Sequence, residues 1–144
     1  MFVSYSHKDD HYRERFHTAL AGLRRQGQIA LWDDHEVEAG AEWESQIREQ
    51  LKTSTLIVFL VSPDLLDSEY IYGSEMNYAL ALNRDRRARV IPVIVRPADW
   101  KQSPLGNLQA LPRYGRAVSS WPNEDEAWLD VTKGIRRIIE QDYP

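Results

Sequence analysis

Leu56-Ile57-Val58-Phe59-Leu60-Val61 is an unbroken apolar run, with Ser54 before it and Ser62-Pro63 after it. A run with no polar alternation has no side to offer solvent. It is also too short for a buried helix, so it predicts a strand covered on both faces. Strands of that kind belong to parallel sheets, because the crossovers joining parallel neighbours lay helices on both sides.

The flanking sequence supplies those crossovers. Phe2–Ser6 is a short β-rich run, with Asp9 or Asp10 placed to cap a helix after it. Tyr12, Phe16, Ala19, Leu20 and Leu23 then form one apolar stripe at helical spacing, and Gly27 is placed to end that helix. Residues 28–32 read as a second strand, followed by the acidic loop Asp33–Gly40 and a helix carrying Trp43, Ile47 and Leu51. After the central run, Pro63 starts a short helical turn. A longer helix is predicted from about residue 70 to 83, with Tyr72, Met76, Ala79, Leu80 and Asn83 on one face.

Residues 89–95 form a fourth strand, which Pro92 marks as irregular or at an edge. Residues 96–116, rich in Pro and Gly, read as loops with short helical pieces, and 117–119 as a small fifth strand. Asn123 caps a last helix, with Glu126 three residues on and Trp128, Val131, Ile135, Ile138 and Ile139 on its buried side. This alternation predicts an α/β, flavodoxin-like three-layer sandwich, with a five-stranded parallel sheet in the order 2-1-3-4-5 and helices on both faces. Such sheets bind ligands beyond the carboxyl ends of their strands, near the switch between strands 1 and 3.

Composition narrows the chemistry. The 144 residues, 42% hydrophobic and 28% charged, fit one domain over 1–144. Cys is absent, which removes disulfides, thiolate metal sites and a cysteine nucleophile. No apolar run approaches the ~20 residues of a bilayer span, and Met1–Ser6 does not read as a leader, so the expectation is a cytoplasmic protein without membrane contact. The net charge of -4 argues against nucleic acid as a partner, despite the local basic cluster at Arg84, Arg86, Arg87 and Arg89.

Neither a glycine-rich dinucleotide loop nor a phosphate-binding P-loop follows any strand. His7, His11, His17 and His35 lack metal-ligand spacing, so no metal is expected. A serine hydrolase elbow is missing, and the tip of the central strand carries Ser62-Pro63 where a phosphoacceptor would need aspartate. What remains is Glu75, one residue from the apolar stripe and near a helix start, with Tyr70, Tyr72, Trp32 and Trp43 in the surrounding elements. A carboxylate among aromatic rings suits cleavage at a sugar carbon through an oxocarbenium-like state. On the residues alone, a solvated glutamate favouring the helix dipole is the simpler reading.

The sequence resembles the TIR (Toll/interleukin-1 receptor) domain, of the prokaryotic type found in anti-phage defence effectors, over essentially its whole length. Phe2-Val3-Ser4-Tyr5-Ser6-His7-Lys8-Asp9 is similar to the family's first box. Leu31-Trp32-Asp33-Asp34 and Val37 through Trp43 resemble the second strand end and the BB loop. Leu60 through Met76 and Val90 through Pro97, with Asp99-Trp100 and Leu111-Pro112, resemble the later boxes.

The resemblance implies an NAD+ nucleosidase (a glycohydrolase or cyclase), with Glu75 as its catalytic residue, or alternatively a non-catalytic TIR–TIR scaffold. It implies a pocket drawing on Tyr5, Ser6, His7, Trp32, Asp33, Trp43, Ser68 and Tyr72. NAD+ would be substrate, with no cofactor. It also implies self-association through TIR–TIR contacts including the BB loop Asp33–Gly40, immune signalling by NAD depletion, and a fused or associated sensor module. One departure is Ile71, four residues before Glu75, where several members carry Trp. Each pocket residue also has a structural reading. Ser6 and Ser68 suit helix caps, Tyr5 suits the core, Trp32 and Trp43 suit packing of the BB loop, and Asp33-Asp34 suits a turn.

Overall fold

Leu56–Val61 forms the central strand β2, buried along its full length. It runs parallel to β1 (Phe2–Ser4) on one side and β3 (Arg89–Ile94) on the other, with Phe2 opposite Ile57 and Leu56 opposite Arg89. The computed structural model describes residues 1–33 and 43–142.

Helices cover both faces of the sheet. β2 alternates between two cores, as the pleat requires. Ile57, Phe59 and Val61 pack with α3 (Trp43–Thr53) and α5 (Met76–Arg84) through Ile47, Leu51, Met76 and Ala79. Leu56, Val58 and Leu60 pack with α1 (Asp10–Ala19), α2 (Ala21–Arg25) and α6 (Glu124–Asp142) through Phe16, Leu20, Leu23, Trp128 and Ile135.

Several local signals act as their chemistry demands. Gly27 adopts φ 73°; its N–H bonds Arg24 O at 3.0 Å, and Gln28 N–H bonds Leu23 O at 3.0 Å, closing the first helical segment with a Schellman turn. Asn123 Oδ1 accepts from Glu126 N–H at 3.1 Å to start α6. Ser62 Oγ accepts from Leu65 N–H at 3.1 Å and Pro63 opens α4 (Pro63–Asp67).

The five-stranded sheet expected from sequence is not what forms: among the described residues three strands make the sheet. Residues 28–32 contribute a single bridge, Trp32 to Phe2, held by Trp32 N–H to Met1 O and Val3 N–H to Trp32 O, both 2.9 Å. The Met1 amine also donates to Ala30 O at 2.8 Å, so this segment runs beside β1 with one bridge only. Residues 117–119 do not form a strand; Val118–Ser120 is a 3-10 turn, although Ala117 and Val118 are buried as their apolar character requires. The residue that bridges to Val93 on β3 is Leu111, and Pro112 next to it has no N–H with which to continue.

The outer edge of β3 is closed group by group. Val90 N–H donates to Asn83 Oδ1 at 3.0 Å, Pro92 has no N–H, and Ile94 N–H donates to Leu111 O at 2.8 Å.

Candidate functional site

Glu75 ends a π-helical turn, Ile71–Glu75, that leads directly into α5. A π turn adds a residue to the helical repeat; it occurs mostly as a single turn and is frequent at functional sites. Met76 N–H bonds Ile71 O across the turn, and Asn77 Nδ2 donates to Gly73 O at 2.6 Å. Ile71 at the start of the turn is buried in the core with Met76, whereas Tyr72 is more than one-third exposed.

The side chain of Glu75 is 7% exposed. It lines a small cleft with Ile47, Arg48 and Leu51 from α3 and Tyr70, Ser74 and Tyr78 from its own helix. Burial, and after it the neighbouring Glu75 carboxylate, raises the Tyr70 phenol above its ordinary value, so this ring keeps its hydroxyl proton. A carboxylate withdrawn from water and walled by two tyrosines can stabilise a developing positive charge opposite it. The cleft's volume of about 10 Å³ is that of one water.

The other residues singled out from sequence gather elsewhere. Tyr5 is buried after β1 and stacks on His7 at 5.9 Å between centroids, with the Arg13 guanidinium 5.8 Å from the Tyr5 ring. Arg13 also reaches Asp33 at 3.6 Å. Trp32 stacks on Phe2 at 5.3 Å. Ser6 caps the 3-10 turn His7–Asp9 by accepting from Lys8 N–H at 3.3 Å, and Ser68 accepts from Ile71 N–H at 3.3 Å. Tyr5, His7 and Asp33 thus form one cluster around Arg13, and Glu75 lies in another between α3 and α5. The side chain of Trp43 and residues 34–42, which include most of the Asp33–Gly40 loop, lie outside the described residues.

Sequence reasoning missed a polar network at the carboxyl edge of the sheet. Asp9, read as a candidate helix cap, makes no capping bond; it is buried and accepts from Ser62 Oγ and from Arg96 Nε, the latter at 2.9 Å. Arg96 also bonds Asp64, which Lys8 approaches at 3.6 Å. The signal was Arg96 itself, a charge set directly after the buried run of β3. Arg48 and Tyr78 beside Glu75 were equally unassigned: Arg48 is brought there by α3, and Tyr78 lies three residues on along the helix of Glu75, whereas Tyr70 was already read as a neighbouring ring.

Among the described residues, no three of His, Asp and Glu gather closely enough to hold a metal ion, and no helix is long and apolar enough to cross a membrane.

Residues 1–131 match the family model for the TIR domain. This chain belongs to the TIR domain family. An uncharacterised protein, y4lF of Sinorhizobium fredii, is 40% identical over 136 residues, which are 94% of this chain and 42% of that protein. The chain therefore spans less than half the length of this relative. Two solved TIR structures share the fold. The TIR domains of the activated Roq1 resistosome, which directly recognises the pathogen effector XopQ, superpose with a TM-score of 0.67 at 16% identity, over 93% of this chain and 97% of theirs. The TIR domain of the Toll-related receptor TRR-2 from Hydra magnipapillata gives 0.62 at 17% identity, over 94% and 96%. At these identities the likeness establishes the TIR α/β fold alone.

Proposed function

We propose that this TIR domain is an NAD+ nucleosidase that works when copies assemble, with Glu75 as its catalytic residue. The observation carrying this reading is the 7% exposed Glu75 carboxylate, held on a π turn in a cleft walled by Tyr70 and Tyr78. A buried acidic side chain set in a cleft is a candidate functional group.

In the reaction, the bond between nicotinamide nitrogen and ribose C1′ breaks and nicotinamide leaves with the electron pair. Because that nitrogen is cationic in NAD+, its departure needs no acid. The Glu75 carboxylate stabilises the oxocarbenium-like ribose. Water adds to C1′ and loses a proton, giving ADP-ribose; attack by a group within the same molecule gives a cyclic isomer. NAD+ is the substrate, and no cofactor or metal enters. Tyr5, Ser6, His7, Trp32, Asp33, Trp43, Ser68 and Tyr72 are proposed to contribute to the substrate surface as the pocket opens.

A cleft with room for one water does not admit a dinucleotide, so the site opens before it turns over. Contact between copies through the Asp33–Gly40 loop supplies that step in this proposal. The additional length of the Sinorhizobium relative is consistent with a fused sensor that triggers assembly, and a cytoplasmic role in anti-phage immunity by NAD depletion follows from the same reading.

The test is nicotinamide release from NAD+, with products resolved by chromatography, for wild type and Glu75→Ala, each dilute and each tethered densely on a surface. Release by the tethered wild type and its loss in the mutant is the expected result. The narrow cleft also favours a second reading, a scaffold that signals by TIR–TIR contact without chemistry. Assembled wild type that releases no nicotinamide would establish that reading in place of the first.

A further inference from the structure

The amino end of the sheet carries a second cleft, far from Glu75. Asn83, which bonds Val90 at the start of β3, lies eight residues beyond Glu75 on α5, about 12 Å along the helix. Beside it opens a cavity of about 630 Å³ between β3, the segment 107–114 and α6. Cavities that hold small organic ligands run from about 300 to 1,000 Å³.

The lining is cationic and amide-rich. Arg89, Arg113 and Arg137 enter it from three different elements, against the single carboxylate of Asp130, with Asn107 and Gln109 along one side. Among the described residues Asp130 is engaged by Arg113: its Oδ2 accepts from Arg113 N–H at 2.7 Å, and the guanidinium approaches it at 3.9 Å while lying 5.2 Å from the Trp121 ring. Among the described residues Arg137, exposed on α6, has no carboxylate partner.

At the mouth stands Tyr114. The residue is 92% exposed, so packing does not account for its presence. Its backbone is left-handed, φ 63° and ψ 10°, a conformation that costs a non-glycine residue energy and concentrates at functional sites. The next residue holds it there: Gly115, at φ 66°, lies so close to Trp100 that a Cβ would meet that ring at 2.8 Å. An anchored turn thus presents an aromatic face beside three guanidinium groups.

Guanidinium groups grip phosphate oxygens through paired N–H donors, aromatic faces stack planar bases, and side-chain amides read their polar edges. We infer that this cleft is a binding site for a nucleoside di- or triphosphate, separate from the Glu75 site and independent of the activity proposed there. The phosphates lie against Arg89, Arg113 and Arg137, and the base stacks on Tyr114.

Calorimetric titration of the whole chain with ATP tests the inference, with adenosine and pyrophosphate as half-ligand probes. Saturable one-to-one binding of ATP is expected, with each half-ligand at least about tenfold weaker. Arg137→Glu and Tyr114→Gly should each weaken ATP binding by a similar factor. Tyr114→Gly should melt no lower than wild type, because glycine relaxes the left-handed backbone, so lost binding in that variant is not lost folding. Glu75→Ala should bind ATP as wild type does. Absence of ATP binding would overturn the inference. So would pyrophosphate binding as tightly as ATP, or ATP binding that Glu75→Ala abolishes and the cleft variants leave intact.

Discussion

Arg96 Nε donates to Asp9 Oδ1 at 2.9 Å across the carboxyl ends of β3 and β1, and Asp9 is only 1% exposed. With Ser62 donating to its other oxygen, this carboxylate is anchored to the ends of all three strands. Removing the cation strands a buried charge. Arg96→Met is therefore expected to lower stability by about 3 kcal/mol, whereas removing both charges in Asp9→Asn with Arg96→Met should cost less than the two single losses added together. Urea denaturation of the four proteins measures this, and strict additivity would show that the pair is not coupled.

Glu75 carries the opposite expectation. Glutamine keeps the shape of the buried glutamate and one of its acceptor oxygens, so Glu75→Gln should leave the thermal midpoint nearly unchanged. In the assembled protein the same substitution should reduce nicotinamide release by about 100-fold or more. A lowered midpoint in a melting scan would make Glu75 a structural anchor.

His17, on α1, gives a pH dependence. Burial first, and then Arg24 and Arg13, hold its imidazole below the ordinary value of 6.5. The unfolded chain then binds more protons than the folded one as pH falls through 6.5, so this contribution to stability is complete above that value and is lost toward the lower, folded pKa. Urea midpoints measured from pH 7 to pH 5 should fall for wild type and fall less for His17→Gln. Equal slopes would dissociate His17 from the effect. The Asp64 carboxyl, held low chiefly by its hydrogen bond from Arg96, acts in a more acidic window, below about pH 4.

Gly106 tests the segment that walls the amino-end cleft. A Cβ there would sit 2.0 Å from the carbonyl oxygen of Lys101, a backbone atom with no flexible end to yield. Gly106→Ala should cost about 3 kcal/mol in denaturant melts. A change below about 0.5 kcal/mol would mean that the turn shifts freely.

What could be read from the chain was what local chemistry decides. The two-faced burial of Leu56–Val61, the stop at Gly27, the cap at Asn123 and the edge position of Pro92 all follow from a few neighbouring residues. The flanks of the sheet were misread because an apolar, β-rich run can be buried without pairing into a ladder: residues 28–32 make one bridge, at Trp32, and Ala117 and Val118 are buried at a 3-10 turn. The π turn at Ile71–Glu75 leaves no composition signal, since the repeat is shifted by how Ile71 and Met76 seat in the core. For the same reason Arg48 could not be placed beside Glu75; their meeting depends on the packing of α3 against the helix of Glu75.

The sealed flank of β3 restricts how copies of this domain join. With Val90, Pro92 and Ile94 already satisfied or donorless, a neighbouring chain has no main-chain ladder to continue on that side. Contacts there must be made by side chains alone, whose strength follows concentration and salt. Side-chain contacts of that kind come apart on dilution, whereas a shared sheet would grow into a fibre.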